Sequence, residues 1–207
     1  MIDSSLSPGA LAILQQGYRN NWQQYLASIQ GEDRARAYWD LVVLTASNER
    51  QADAYRAQLE ARKRSGLLPK HSRFLVMPDP KGTRIGSGGA TLRVLSELSR
   101  NQRDEPSSGH TSPTLRDQRV LVIHSGGDSR RLPHCSATGK LFARVPHELP
   151  DGRSSSLFDE FLVSLSGLPS QIPSGILVAF HGDESAVCLA LLPREVLERG
   201  METHFVK

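Results

Sequence analysis

The sequence predicts an α/β fold built on an open, mostly parallel sheet. Three observations carry that expectation. Apolar, β-branched runs recur at Trp39-Asp40-Leu41-Val42-Val43-Leu44-Thr45-Ala46, Phe74-Leu75-Val76-Met77, Val120-Leu121-Val122-Ile123-His124 and Gly175-Ile176-Leu177-Val178-Ala179-Phe180. They are continuous rather than alternating, which marks strands covered on both faces. Segments with apolar residues three and four apart lie between them, so strands alternate with helices. At 207 residues, 38% hydrophobic and 23% charged, the chain is long enough for one domain with a buried core.

The elements follow in order. Residues 8–29, from Pro8 through Leu11, Leu14, Tyr18, Trp22, Tyr25, Leu26 and Ile29, have helical spacing, with a break expected near Gly17. After the first strand, Asn48 caps a helix over 49–65. That helix carries Ala52, Tyr55 and Leu59, ends on Arg62-Lys63-Arg64 and stops at Gly66. Pro78-Asp79-Pro80 closes the second strand, and the turn Gly86-Ser87-Gly88-Gly89 opens a helix through Ala90, Leu92, Val94, Leu95 and Leu98. Residues 101–118 are polar, Ser/Pro-rich and aperiodic, and are expected to form a mobile surface loop. The third strand runs into Ser125-Gly126-Gly127-Asp128, a helix is expected from Phe158 to Leu168, and the fourth strand ends at His181-Gly182-Asp183.

Composition excludes several classes. No apolar run approaches the roughly 18 to 20 residues of a membrane span. Met1-Ile2-Asp3-Ser4-Ser5 lacks the basic and apolar regions of a secretory signal, so a cytoplasmic location is expected. The net charge of +3 suits an anionic ligand but is too small to argue for nucleic acid. Cys135 and Cys188 are too few for a disulfide framework and lack zinc-ligand pairing, so both are read as reduced and structural.

In an open α/β sheet, ligands bind at the carboxyl ends of the strands. The tract Ser125-Gly126-Gly127-Asp128-Ser129-Arg130-Arg131-Leu132-Pro133 combines glycines that let a backbone approach closely, a row of N–H donors and two guanidinium groups. That chemistry makes a phosphate cradle; the alternative is a glycine-rich turn with surface arginines. Lys140, after Gly139, is far enough downstream to return to the same phosphates, although a lone lysine is usually a solvated surface group. Asp183 closes the fourth strand where a carboxylate can hold Mg²⁺ against phosphates, or can simply cap its own turn. The tract Arg84-Ile85-Gly86-Ser87-Gly88-Gly89-Ala90-Thr91 invites comparison with the dinucleotide fingerprint. Thr91 stands where the third glycine belongs, and no ribose-binding acid follows about twenty residues on, so a nicotinamide-dependent oxidoreductase is the weaker reading. His124 and His181 sit at strand ends and are read as hydrogen-bonded, non-catalytic groups.

The Ser125 to Pro133 tract with Gly139-Lys140 resembles the signature of sugar-1-phosphate nucleotidyltransferases. Taken in order, the segments 39–46, 78–92 and 124–131 resemble more specifically the fucose-1-phosphate guanylyltransferase (GDP-fucose pyrophosphorylase) module, which also occurs in bifunctional fucokinase/GDP-fucose pyrophosphorylases. The match covers roughly residues 38–183. Departures exist: Ser129-Arg130 stands where the generic signature has glycine-threonine, and Pro133 comes one residue early. The fucose family tolerates both.

The resemblance implies a Rossmann-like, GT-A-like nucleotidyltransferase core that joins GTP and fucose 1-phosphate into GDP-fucose and pyrophosphate, with Mg²⁺. It implies that Gly126, Gly127, Asp128, Ser129 and Arg130 bind the nucleotide together with Gly86, Gly88 and Gly89. Arg131 would stabilise the departing pyrophosphate, Lys140 would neutralise the α-phosphate or the incoming sugar phosphate, and Asp183 would hold the metal. The organisation expected is a helical segment over 1–37, a nucleotide-binding core over 38–183 and a tail over 184–207. The sugar-binding half of such a domain is not found in Glu184 to Lys207, so the chain is expected to be incomplete at its C-terminus. Another chain would then supply the missing half. The alternative expectation is a non-catalytic or truncated nucleotide-binding fragment, and neither nucleic acid nor membrane is expected as a partner.

Overall fold

A computed structural model describes residues 7–32, 38–83, 85–104, 115–125, 135, 139–181 and 187–188, with the backbone only for 101–104, 176–181 and 187–188. Helix α1 spans Pro8–Gln30. The Ser7 hydroxyl caps it by accepting from Ala10 N, and it ends at Gly31, where Glu32 N–H returns to Ala27 O at 3.0 Å. It runs unbroken through Gly17, because Tyr18, Trp22 and Tyr25 pack the following turns onto the core and outweigh the small cost of an exposed glycine.

Strand β1 (Leu41–Ala46) leads to α2 (Glu49–Arg64), and β2 (Arg73–Pro78) leads through a short 3₁₀ turn, Pro80–Gly82, to α3 (Gly86–Asp104). Strand β3 (Arg119–His124) follows, and further on comes β6 (Ile176–His181). Among the described residues these strands form a five-stranded sheet, ordered β2-β1-β3-β6-β7, with β7 the pair Val187–Cys188. β2, β1, β3 and β6 are mutually parallel, and β7 runs antiparallel to β6. The α/β class with mostly parallel strands is therefore observed.

Alternation of side chains sorts the core into two layers. Val42, Leu44, Ala46, Leu121 and Ile123 face α1, α2 and the helix α4 (Leu157–Ser164). Leu41, Val43, Val120 and Val122 face Val94 of α3 and Leu115. Helices thus cover both faces, which is why the strands read as unbroken apolar runs.

Three features differ from expectation. α3 continues through Asp104 and a 3₁₀ turn forms at Leu115–Asp117, so both ends of the segment expected to be a loop are ordered. The helix expected from Phe158 to Leu168 ends at Ser164, and a separate 3₁₀ turn holds Leu168–Ser170, in keeping with Gly167 and Pro169. An antiparallel hairpin, β4 (Arg144–Glu148) with β5 (Ser154–Ser156), was not anticipated. Its turn is Pro150-Asp151-Gly152, closed by Leu149 N–H to Arg153 O at 2.9 Å and by the Asp151–Arg153 ion pair. The hairpin delivers the chain to α4, whose start is a capping box between Ser156 and Asp159.

Candidate nucleotide site at the strand ends

Because β1, β2, β3 and β6 are parallel, their carboxyl ends share one edge of the sheet. In register, Thr45 lies beside Met77 on one side and His124 on the other, and His124 lies beside His181. Asp79 N–H bonds to Ala46 O at 2.7 Å and continues this edge across β2. Arg93 of α3 donates to Pro78 O and ties the helix to the end of the same strand.

A buried polar relay joins three elements here. His124 Nε2 lies 2.9 Å from Thr91 Oγ1, and His124 Nδ1 lies 3.3 Å from Thr45 Oγ1. The Thr91 hydroxyl spends its proton on Ser87 O at 3.0 Å, so it accepts from the histidine. This is the hydrogen-bonded role expected of His124. It also gives Thr91 a purpose at the place where a dinucleotide fingerprint needs its third glycine for close helix–strand contact: a hydroxyl bridges the gap instead.

Gly86, Gly88 and Gly89 fall in the first turn of α3 itself, one turn before Thr91. Gly86 has φ +70°, a backbone shape costly for a residue with a Cβ. The relay therefore docks this glycine-rich helix start beside the end of β3, where Ser125 begins the second glycine tract.

The start of α2 forms the other wall. Asn48 Oδ1 accepts from Gln51 N–H at 2.9 Å, while Gln51 Oε1 folds back to accept from Ser47 N–H at 2.8 Å. Ser125 Oγ donates to Thr45 O at 2.7 Å, and Tyr55 OH donates to Ser125 O at 3.3 Å. Burial, partly offset by that bond, pushes the Tyr55 phenol up to about 12, so it remains a donor at neutral pH. Gly139 has φ +73° and rests on this phenol: a Cβ there would stand 2.1 Å from Tyr55 Oη and 2.9 Å from Gln51 Nε2. Only glycine fits. The Tyr55 hydroxyl thus brings Ser125 and Gly139-Lys140 together at the carboxyl edge of the sheet.

Of the predicted site residues, Gly86, Gly88, Gly89 and Lys140 are placed at this edge. Gly126, Gly127, Asp128, Ser129, Arg130, Arg131 and Asp183 lie outside the described residues. Among the described residues no cluster of three or more His, Cys, Asp or Glu side chains gathers that could hold a metal. Cys135 is buried and has a free thiol. Sequence reasoning passed over Thr45, Gln51 and Tyr55. The Asn48-x-x-Gln51 spacing is a capping signature legible in the sequence, whereas the Tyr55 contacts join residues far apart along the chain.

A second feature lies at the opposite end of α2. Arg62 binds Asp159 through Nε at 2.9 Å and through a second nitrogen at 3.0 Å, donates to Ser156 Oγ at 3.0 Å and to Gln58 Oε1 at 2.8 Å, and lies over the Phe142 ring. Burial alone would raise the Asp159 carboxyl, but the bonds from Arg62 and Ser156 and the Arg62 charge outweigh it and hold it below the usual carboxylate range. A cleft of about 240 Å³ opens beside this pair, lined by Tyr25, Leu67, Leu149 and Arg153 among others. With Arg62 committed to Asp159 and Arg153 to Asp151, its charges are already matched.

Comparison with known proteins bears out the resemblance. Residues 112–187 match the fucose pyrophosphorylase domain family. The chain is 38% identical over 158 residues to a fucose-1-phosphate guanylyltransferase of Homo sapiens, covering 76% of this chain and 24% of that protein. It is 38% identical over 149 residues to the Mus musculus protein of the same name, covering 72% and 23%. To a bifunctional fucokinase/GDP-fucose pyrophosphorylase of Arabidopsis thaliana it is 35% identical over 162 residues, covering 72% and 15%. The chain thus spans less than a quarter of the length of these curated relatives. No solved structure matches. Among the described residues no helix is long and apolar enough to cross a membrane.

Proposed function

From the similarity to fucose pyrophosphorylases, we propose that this chain is the nucleotide-binding part of a sugar-1-phosphate guanylyltransferase with a GT-A-like core. It would join GTP and fucose 1-phosphate into GDP-fucose and pyrophosphate. The observation that carries this reading is the meeting of Ser125, which opens the glycine-arginine tract, with Gly139-Lys140 on one tyrosine at the carboxyl edge of a parallel sheet. Two parts of the signature, separate in sequence, share one place in the fold.

In the proposed reaction an oxygen of the sugar phosphate attacks the α-phosphorus of GTP in line. The new P–O bond forms as the bond to the β-phosphate oxygen breaks, and pyrophosphate leaves. No covalent enzyme intermediate is required, so the protein contributes position and charge. Main-chain N–H groups of Gly126, Gly127 and Asp128, with Ser129 and Arg130, hold the triphosphate, and the start of α3 at Gly86, Gly88 and Gly89 shapes the pocket. Arg131 stabilises the leaving pyrophosphate, and Lys140 neutralises the α-phosphate or the sugar phosphate. Magnesium held by Asp183 would neutralise phosphate charge.

A second reading, a nucleotide-binding fragment without catalysis, is favoured by the small share of its relatives that the chain spans. Both readings predict GTP binding. Incubation with GTP, Mg²⁺ and fucose 1-phosphate, alone and with the remainder of the module supplied as a second chain, separates them: pyrophosphate release in either case supports the transferase, and GTP binding without release in both, although the two chains associate, supports the fragment. A chain that does not bind GTP contradicts both.

A further inference from the structure

We propose that Tyr55 is a positioning residue of the nucleotide site, fixing Ser125 and the backbone of Gly139-Lys140 relative to one another. The identity of the ligand rests on the guanylyltransferase reading; the geometry does not. Tyr55 is fully buried on α2. Its hydroxyl donates to Ser125 O at 3.3 Å, and the same oxygen occupies the space that a side chain on Gly139 would need. Phe142 holds the phenol ring from another direction, with ring centroids 5.3 Å apart. One rigid side chain therefore meets the main chain at both halves of the signature: a carbonyl where the first half starts, and the α-carbon just before Lys140.

Gln51, one helical turn before Tyr55, completes the floor. Its Oε1 is fixed by Ser47 N–H and also accepts from the Ser47 hydroxyl at 3.2 Å, which settles the orientation of the amide. Its Nε2 is then placed against Gly139, buried and, among the described residues, without a hydrogen-bond partner. Buried donors left unpaired are uncommon, and this one does not stabilise the fold through that nitrogen. Both polar tips on this face of α2 are thus pressed against the stretch of backbone that carries Lys140. A displacement of about 1 Å in a charged group can cost about a hundredfold in catalysis, so a rigid floor beneath Gly139 acts directly on what Lys140 can do.

A double-mutant cycle on GTP affinity, measured calorimetrically with the full chain, tests this. Tyr55→Phe keeps the ring and deletes only the hydroxyl. It is expected to weaken GTP binding about fivefold and Lys140→Met about thirtyfold. The double variant is expected to match Lys140→Met within about twofold, because Tyr55 acts through the lysine. Additive losses would overturn the proposal, since a merely structural tyrosine weakens binding whether or not Lys140 is present. Wild-type affinity in Tyr55→Phe, with Lys140→Met impaired, overturns the positioning role and leaves the guanylyltransferase reading intact. Failure of the wild-type chain to bind GTP overturns both.

Discussion

The two ends of α2 are built on different principles. Its C-terminal end is ionic and closed: Arg62 makes four hydrogen bonds, two of them to the half-buried Asp159, and its guanidinium stacks on Phe142. The buried face of its N-terminal end is uncharged and tight, the ion pairs of Arg56 with Glu49 and Asp53 lying on the exposed side. Asn48, Gln51 and Tyr55 are neutral, one amide nitrogen is left without a partner among the described residues, and Gly139 sits where nothing larger fits. On the proposed guanylyltransferase reading, the difference separates stability from function along one helix. The closed end joins α2 to α4, while the end with no steric slack at Gly139 faces the carboxyl ends of the strands.

The comparison breaks most visibly at the clamp. Arg62→Ala leaves the Asp159 carboxylate without its charge partner and is expected to cost about 3 to 5 kcal/mol in urea denaturation, with GTP affinity unchanged. Acid sharpens the same point. Because the folded Asp159 carboxyl lies below its ordinary value, its contribution is present above the unfolded pKa and is lost as pH falls through the folded one. The wild-type stability profile should therefore drop at and below the ordinary carboxylate range, and Asp159→Asn should flatten that limb.

At the other end, Gly139→Ala forces a methyl into the Tyr55 hydroxyl and a left-handed backbone onto alanine. A cost of about 3 kcal/mol is expected, together with loss of GTP binding. A stability loss with full GTP affinity would show that this end is structural too. The smallest effect is expected from Asn48→Ala, about 1 kcal/mol by thermal melting, since it removes one cap bond and leaves Gln51 and Tyr55 in place.

The parallel sheet was legible because strands such as Leu41–Ala46 are buried along their whole length and therefore have to be apolar throughout. The helix starts at Asn48 and Ser156 were equally open to reading, since capping is local chemistry. The hairpin over 144–156 was missed: its strands are short and polar, and only the Pro150-Asp151-Gly152 turn announces it. The glycine tracts were visible as motifs. What joins them was not, because the Thr91–His124–Thr45 relay and the Tyr55 contacts depend on side chains from separate elements meeting in three dimensions. Thr91 illustrates the limit: in sequence it marked a failed fingerprint, and in the fold it is the hydrogen-bond partner that docks α3.

The central claim is that the Tyr55 end of α2 borders a nucleotide site and the Arg62 end does not. GTP titration of Lys140→Met beside Arg62→Met, each paired with a urea melt, tests it most directly. The Lys140 variant should lose GTP affinity by about tenfold or more, and the Arg62 variant should lose stability while binding GTP as the wild type does. Unchanged GTP affinity in the Lys140 variant, or an equal loss in both, would contradict the account.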